Sequence, residues 1–324
     1  MIYKKKLMLL SSLVVILALV YTLTLIFDPQ RQQSKAFAWL DPKNLSLVDG
    51  IEINAQSNKI ILNRKNNIWV FGAAQEEYPV KQTRVEDLLQ ALSRKGVYPL
   101  RAASGEAREK LGLVEGSASR IIVKGGKGLP LLDILIGKAD ALGSELYLGR
   151  SGEKEVYSGE DRFTLYTDAN PKSWYELRLF PPPEGRSGNV SGPRTEGSSI
   201  DVTSVQQADI VLPASGALPY AFRRNGGAWI MPGNESAALD NSKVDAWLRS
   251  VLESEGVDFS KEAPAGIEGS ITLMLGDGKS RVIQVGPKDE EKRRPVTVSG
   301  SPLVYVLSEW TLNRLFREKD YFLK

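Results

Sequence analysis

Ile60-Ile61-Leu62-Asn63-Arg64-Lys65-Asn66-Asn67-Ile68-Trp69 and Tyr220-Ala221-Phe222-Arg223-Arg224-Asn225-Gly226-Gly227-Ala228-Trp229 have one plan: strand, polar turn, and a second strand that carries a tryptophan. Working outward, each stretch is followed by apolar residues at helical spacing. These are Val85, Leu88, Leu89 and Leu92 in the first copy, and Val244, Trp247, Leu248, Val251 and Leu252 in the second. Gly96-Val97 and Gly256-Val257 then stop both helices, as a glycine does at a left-handed C-cap. Gly112-Leu113-Val114-Glu115-Gly116 pairs with Gly266-Ile267-Glu268-Gly269, and each leads into a strand-rich run that ends at Ile136-Gly137 or Val285-Gly286. Val156-Tyr157 with Thr164-Leu165, and Val304-Tyr305 with Thr311-Leu312, close the two copies. Landmarks in one order, with an extra stretch at Arg101–Lys110 in the first copy, predict an internal duplication.

The local signals predict a strand, a hairpin, a helix, further hairpins and a short closing helix in each copy. Thr83-Arg84-Val85-Glu86 has the spacing of a capping box, and Asp240 or Asn241 can cap the second helix. Turns are expected at Gly125–Gly128 and at Asp277-Gly278, the latter of type I′, and short helices near Glu160–Tyr166 and Glu309–Phe316. Strands joined by hairpins, with helices that do not strictly alternate, predict an α+β fold with mainly antiparallel sheets.

The chain has 324 residues and a net charge of +3, enough for two domains and no electrostatic sign of nucleic-acid binding. Leu7–Phe27 is an uncharged run preceded by Lys4-Lys5-Lys6. A run of that length predicts an N-terminal transmembrane helix in contact with the lipid bilayer, with residues 1–6 in the cytoplasm and the bulk of the chain outside it, at a bacterial inner membrane. The competing reading is a cleaved signal peptide with Ala36-Phe37-Ala38 at the cleavage site, which lies far beyond the apolar core. The expected organisation is a tail at 1–6, an anchor at 7–27, a juxtamembrane stalk at 28–47, repeats at 48–180 and 200–324, and a Pro/Gly/Ser linker at 181–199.

No histidine and no cysteine occurs in the sequence. That removes Ser-His-Asp triads, thiolate chemistry, histidine-ligated metals and lipoprotein anchoring, and no cofactor or metal is expected. Gly276-Asp277-Gly278-Lys279-Ser280 ends like a phosphate loop, but Leu273 stands where that motif needs its first glycine, so a hairpin turn is expected. The carboxylate pairs Glu76-Glu77, Glu160-Asp161 and Glu290-Glu291 are adjacent in sequence, whereas glycoside hydrolysis needs two acids across a cleft. Trp69 and Trp229 could stack on a glycan, although packing against the helix is the simpler use of an aromatic at a hairpin end. Trp39 is read as an interfacial or core aromatic and Tyr78 as a structural or interaction landmark.

Trp69, Tyr78-Pro79-Val80, Leu88-Leu89, Gly112-Leu113 and Ile136-Gly137 resemble the pattern of an uncharacterised bacterial family of single-pass, membrane-anchored repeat proteins. The second copy departs from it, with Ala237-Ala238-Leu239 in place of Tyr-Pro-Val. The resemblance implies companions of ABC-type, gliding-motility-like transport components, with a permease or auxiliary membrane subunit as partner and no catalytic residues. The expectation is therefore a non-enzymatic extracytoplasmic accessory or scaffold subunit. A cell-envelope glycan-binding protein and a carboxylate-dependent glycan hydrolase are the alternatives.

Overall fold

In both copies the turn between the opening strands has two successive residues with left-handed backbone. Asn66 and Asn67 have φ of 50° and 68°, and Gly226 and Gly227 have φ of 58° and 93°. Such a pair makes a type I′ turn, whose twist matches the strands it joins; it sets Lys65 opposite Ile68 and Asn225 opposite Ala228. The structure, a computed structural model, describes residues 14–21, 34–55, 58–73, 76–168, 170–182, 199–213, 216 and 218–324. The chain divides into two compact units, Met1–Trp174 and Tyr175–Lys324.

The first unit contains strands β1 (Ser34–Phe37), β2 (Val48–Ala55), β3 (Asn58–Lys65), β4 (Ile68–Ala73), β5 (Glu76–Pro79), β6 (Gly96–Ala102), β7 (Ser119–Gly125), β8 (Pro130–Ala139), β9 (Glu145–Arg150) and β10 (Val156–Glu160). They form one ten-stranded sheet in the order β1-β6-β10-β9-β8-β7-β2-β3-β4-β5. The second unit contains β11 (Val205–Val211), β12 (Tyr220–Asn225), β13 (Ala228–Ile230), β14 (Asp258–Ser260), β15 (Gly269–Leu275), β16 (Ser280–Val285), β17 (Arg294–Val298) and β18 (Val304–Leu307). Their order is β13-β12-β11-β15-β16-β17-β18-β14. The first sheet read from β4 to β6 gives the same order strand for strand; its additions are β5 beyond β4 and β1 beyond β6. Every strand pair is antiparallel, as hairpin connections allow.

Helix α1 (Gln82–Ser93) buries Val85, Leu88, Leu89 and Leu92, and α3 (Asn241–Leu252) buries Val244, Trp247, Leu248, Val251 and Leu252. Each stripe meets alternate strand residues, such as Ile51 and Ile53 in one unit and Ala208 and Ile210 in the other. Each unit also has a shorter helix, α2 (Gly105–Lys110) in the first and α4 (Glu309–Leu315) in the second.

The expected α+β class is thus corrected to a mainly β protein built on two large antiparallel sheets. Among the described residues the longest helices have twelve residues, whereas the sheets have ten and eight strands. The expected N-terminal transmembrane helix is corrected as well. Most of Leu7–Phe27 lies outside the described residues; residues 14–21 are helical, about 12 Å against a hydrocarbon core of about 30 Å. Among the described residues, no helix is long and apolar enough to cross a membrane.

Three local expectations also change. Helix α1 opens at Gln82 after Lys81, with no side-chain cap, so Thr83 lies inside the helix; Asp240 does cap α3, accepting from Ser242 and Lys243. Gly96 and Gly256 are not left-handed caps. Gly96 opens β6 and Gly256 lies two residues before β14, where a Cβ would come within 3.0 Å of the Tyr98 ring and 3.1 Å of the Val306 carbonyl oxygen respectively. At Asp277-Gly278 only Gly278 is left-handed, and its N–H donates to the Leu275 carbonyl (3.0 Å), a type I turn closed by a glycine rather than type I′.

Residues 34–47, expected as a stalk, contribute β1 and the buried side chains of Trp39 and Leu40 to the first unit. Tyr175–Phe180 belong to the second unit: Leu179 N–H donates to the Ser254 carbonyl (3.0 Å) and Gly256 N–H to that of Leu177 (2.8 Å). The first unit has the corresponding bond from Leu40 to the Leu92 carbonyl (2.9 Å), at the end of its own helix. Phe180 and Ser199 are themselves joined, Ser199 N–H donating to the Phe180 carbonyl at 3.4 Å. Both ends of the Pro/Gly/Ser segment therefore meet within the second unit.

Candidate functional site

Trp69 follows its type I′ turn by two residues, and its backbone, not its ring, makes the specific contacts. Its N–H donates to Gln82 Oε1 and its carbonyl accepts from Gln82 Nε2, both at 2.8 Å. The first residue of α1 therefore pairs with β4 just beyond the point where β5 stops, at Val70 opposite Pro79. Trp229 repeats the arrangement, its N–H donating to Asn241 Oδ1 (2.5 Å) at the first residue of α3. Its indole Nε1 donates to Asp245 Oδ1 (2.9 Å), and the Arg224 guanidinium lies 4.5 Å over its ring. The rings of Trp69 and Trp229 are 4 % and 3 % exposed, so neither offers a face to a sugar.

Trp39 is buried in an aromatic cluster, with ring centroids at 5.0 Å from Phe37, 5.3 Å from Tyr98 and 5.9 Å from Tyr157. Arg150 donates to its carbonyl (2.7 Å). Tyr78 lies on β5 opposite Phe71, half-exposed. The structure thus uses Trp39, Trp69 and Trp229 internally, and Tyr78 alone of the four retains substantial exposure.

A cleft of about 380 Å³ opens in the second unit, with Asp201, Thr203, Arg224, Asp245, Arg249 and Glu253 on its walls. Asp201 accepts from Thr203 N–H (2.7 Å) and Oγ1 (2.8 Å), and these bonds, the backbone one first, hold its carboxyl below the ordinary aspartate value. Asp245 accepts from Arg224 (3.2 Å) and from Trp229, and Arg224 also donates to the Val205 carbonyl (3.1 Å). Three carboxylates share this cleft, yet two already serve a turn and an ion pair. Glycoside hydrolysis needs an acid held protonated opposite a second carboxylate, and Asp201 is displaced the other way. Among the described residues no group of three or more His, Cys, Asp or Glu side chains is placed to hold a metal ion.

Sequence reasoning missed this cleft because its residues come from a turn, a strand and a helix far apart in the chain. One signal was available: Arg224 stands opposite Trp229 in the hairpin, as Arg64 stands opposite Trp69. It also missed Arg108 on α2, buried and donating to the carbonyls of Glu155 (3.2 Å) and Arg150 (3.3 Å). The extra Arg101–Lys110 stretch thus ties the first unit together.

Fold and site together define a duplicated antiparallel β protein whose repeated aromatic and glycine landmarks are structural. Residues 69–268 match a family described as Domain of unknown function (DUF4340), and the chain belongs to that family. The matched region begins at Trp69 and runs through α3 and β14 into the Gly266–Gly269 loop, so it draws on both units. No curated protein and no solved structure matches the chain.

Proposed function

We propose that this protein is a non-enzymatic scaffold, an accessory subunit of an ABC-type transport or gliding-motility-like complex in the cell envelope. The observation that carries the scaffold part is the duplicated sheet order. Two units of the same topology differ in their edge strands, the first adding β1 and β5, so one architecture presents two unlike surfaces. The paired charges of the cleft support the non-enzymatic part. The transport partner rests on the resemblance carried by Trp69, Tyr78-Pro79-Val80 and Ile136-Gly137. Placement of both units outside the cytoplasm belongs to the same proposal and rests on the charge arrangement near the N-terminus. Cross-linking the tagged full chain in its own cells, followed by affinity purification and mass spectrometry, tests it. Permease or ATPase subunits are expected in the eluate, and recovery of the protein alone would overturn the proposal.

A further inference from the structure

The chain has six tryptophans, of which five are buried and Trp310 is 69 % exposed. Helix α4 explains the exposure: it turns Thr311, Leu312 and Leu315 inward and leaves Trp310 outside. Arg314, one turn on, stacks 4.7 Å over the Trp310 ring. Arg317 stacks 4.9 Å over Tyr321, itself exposed. Two cation–aromatic pairs therefore follow one another along the end of the second unit.

These two arginines differ from the other stacked cations. Arg84 over Trp174 donates to the Leu165 carbonyl, Arg150 over Trp39 to the Trp39 carbonyl, Arg224 over Trp229 to Asp245, and Lys243 near Tyr321 to the Leu323 carbonyl. Among the described residues, the guanidinium groups of Arg314 and Arg317 have no hydrogen bond or ion pair, and Arg314 Nε is buried without a partner. Stacking restricts each guanidinium to a plane while its N–H fork remains unmet, the arrangement that suits bidentate binding of a carboxylate. Tryptophan, tyrosine and arginine are also the residues that dominate binding energy at protein interfaces.

We propose that Trp310, Arg314, Arg317 and Tyr321 form a docking face for an acidic segment of a partner protein, whose carboxylates meet the two guanidinium forks and whose apolar groups cover Trp310. Charge complementarity selects this occupant. The two guanidinium groups carry positive charge that no ion pair among the described residues offsets and are held on aromatic rings, where discrete carboxylates complement them. The inference deepens the scaffold proposal by naming the chemistry of a partner.

Trp310 supplies its own readout, because acrylamide quenches an exposed indole and leaves buried ones nearly untouched. The full chain is titrated with a decapeptide of Glu, Leu and Gly, and in parallel with vesicles of phosphatidylglycerol and phosphatidylcholine in equal parts. The peptide is expected to protect Trp310 from quenching, and Arg314→Gln with Arg317→Gln to weaken that protection on the order of tenfold at unchanged thermal stability. Protection by the vesicles alone, no protection by either probe, or equal peptide binding by the double variant overturns the docking face. The scaffold proposal fails separately: peptide protection without co-purifying transport subunits supports this face and removes those partners. Co-purification without protection does the reverse.

Discussion

A hydrogen atom in place of a methyl group decides how the β8 and β16 strand ends are built. At Gly137 a Cβ would fall inside contact distance of the Leu111 carbonyl oxygen, and at Gly286 it would lie 2.6 Å from Pro264 Cβ. In both units a connecting loop crosses the strand end at that point, which explains why an apolar residue followed by glycine recurs there. Gly137→Ala and Gly286→Ala are each expected to cost about 1–3 kcal/mol, the range for overpacking against atoms that cannot move away. Gly105→Ala, with nothing near its Cβ position, should leave the urea midpoint nearly unchanged or slightly raised. Equal midpoints for all three variants would contradict the crossing-loop explanation. Glu52 makes a second prediction, of pH dependence. Burial works to raise its pKa, but hydrogen bonds and charge from Lys124 and Lys59 outweigh burial and hold it below its ordinary 4.5. A folded-state value below the unfolded one means that the stabilisation is full above 4.5 and is lost as pH falls through the folded value. The stability difference between wild type and Glu52→Gln, measured by urea unfolding, should therefore be largest near neutral pH and shrink on acidification below that point.

Among the elements, α1 and α3 are the clearest test of local sequence against tertiary context. Both stripes were legible, since Val85, Leu88, Leu89 and Leu92 and their counterparts face the cores as their spacing requires. The start of α1 was not, because Gln82 is held by the Trp69 backbone and the helix begins there, overriding the threonine signal at Thr83. Asn241 meets the Trp229 backbone in the same way, but the residue before it, Asp240, is itself a capping side chain and accepts from two backbone N–H groups, which Lys81 before Gln82 does not. Asp240→Ala is thus expected to cost about 1 kcal/mol, visible as a lower urea midpoint of the second unit, whereas Thr83→Ala should be close to neutral. A larger loss at Thr83 would restore the capping box. The balance of helix and strand was misjudged for a related reason: β5, β6 and β9 are short or half-buried, with Pro79 and Pro99 among their residues, and alternate too weakly to announce themselves. They become strands because a neighbour offers a register, as β4 does for Glu76–Pro79. The aromatic landmarks were legible as positions but not as roles. An indole at a hairpin end reads alike whether its face is open or, as at Trp229, covered by an arginine from the facing strand.

For the whole molecule, the position of the unit boundary leads to an experiment on where the second unit begins. Composition places the break at Pro181-Pro182-Pro183 and the following Gly/Ser-rich residues, yet Leu177, Leu179 and Phe180 are already buried in the second unit. At about 1.5–3 kcal/mol for each buried apolar side chain, those three contribute on the order of 4–9 kcal/mol, comparable with the whole stability of a domain of this size. A fragment of residues 175–324 should accordingly unfold cooperatively in urea, and a fragment of residues 200–324 should show no cooperative transition or one at a much lower midpoint. Because Phe180 and Ser199 are hydrogen-bonded, the intervening residues close a loop whose ends are already together. Replacing 183–198 by a short Gly/Ser connection should therefore leave the midpoint within about 1 kcal/mol, since closure entropy changes only slowly with loop length. The truncation and the loop replacement separate the roles of this region. If the 200–324 fragment unfolds at the same midpoint as 175–324, Tyr175–Phe180 are not part of the fold. If the loop replacement destabilises as strongly as the truncation, the replaced segment itself contributes to packing. Loss on truncation with little change on replacement assigns the stability to the six residues before the prolines.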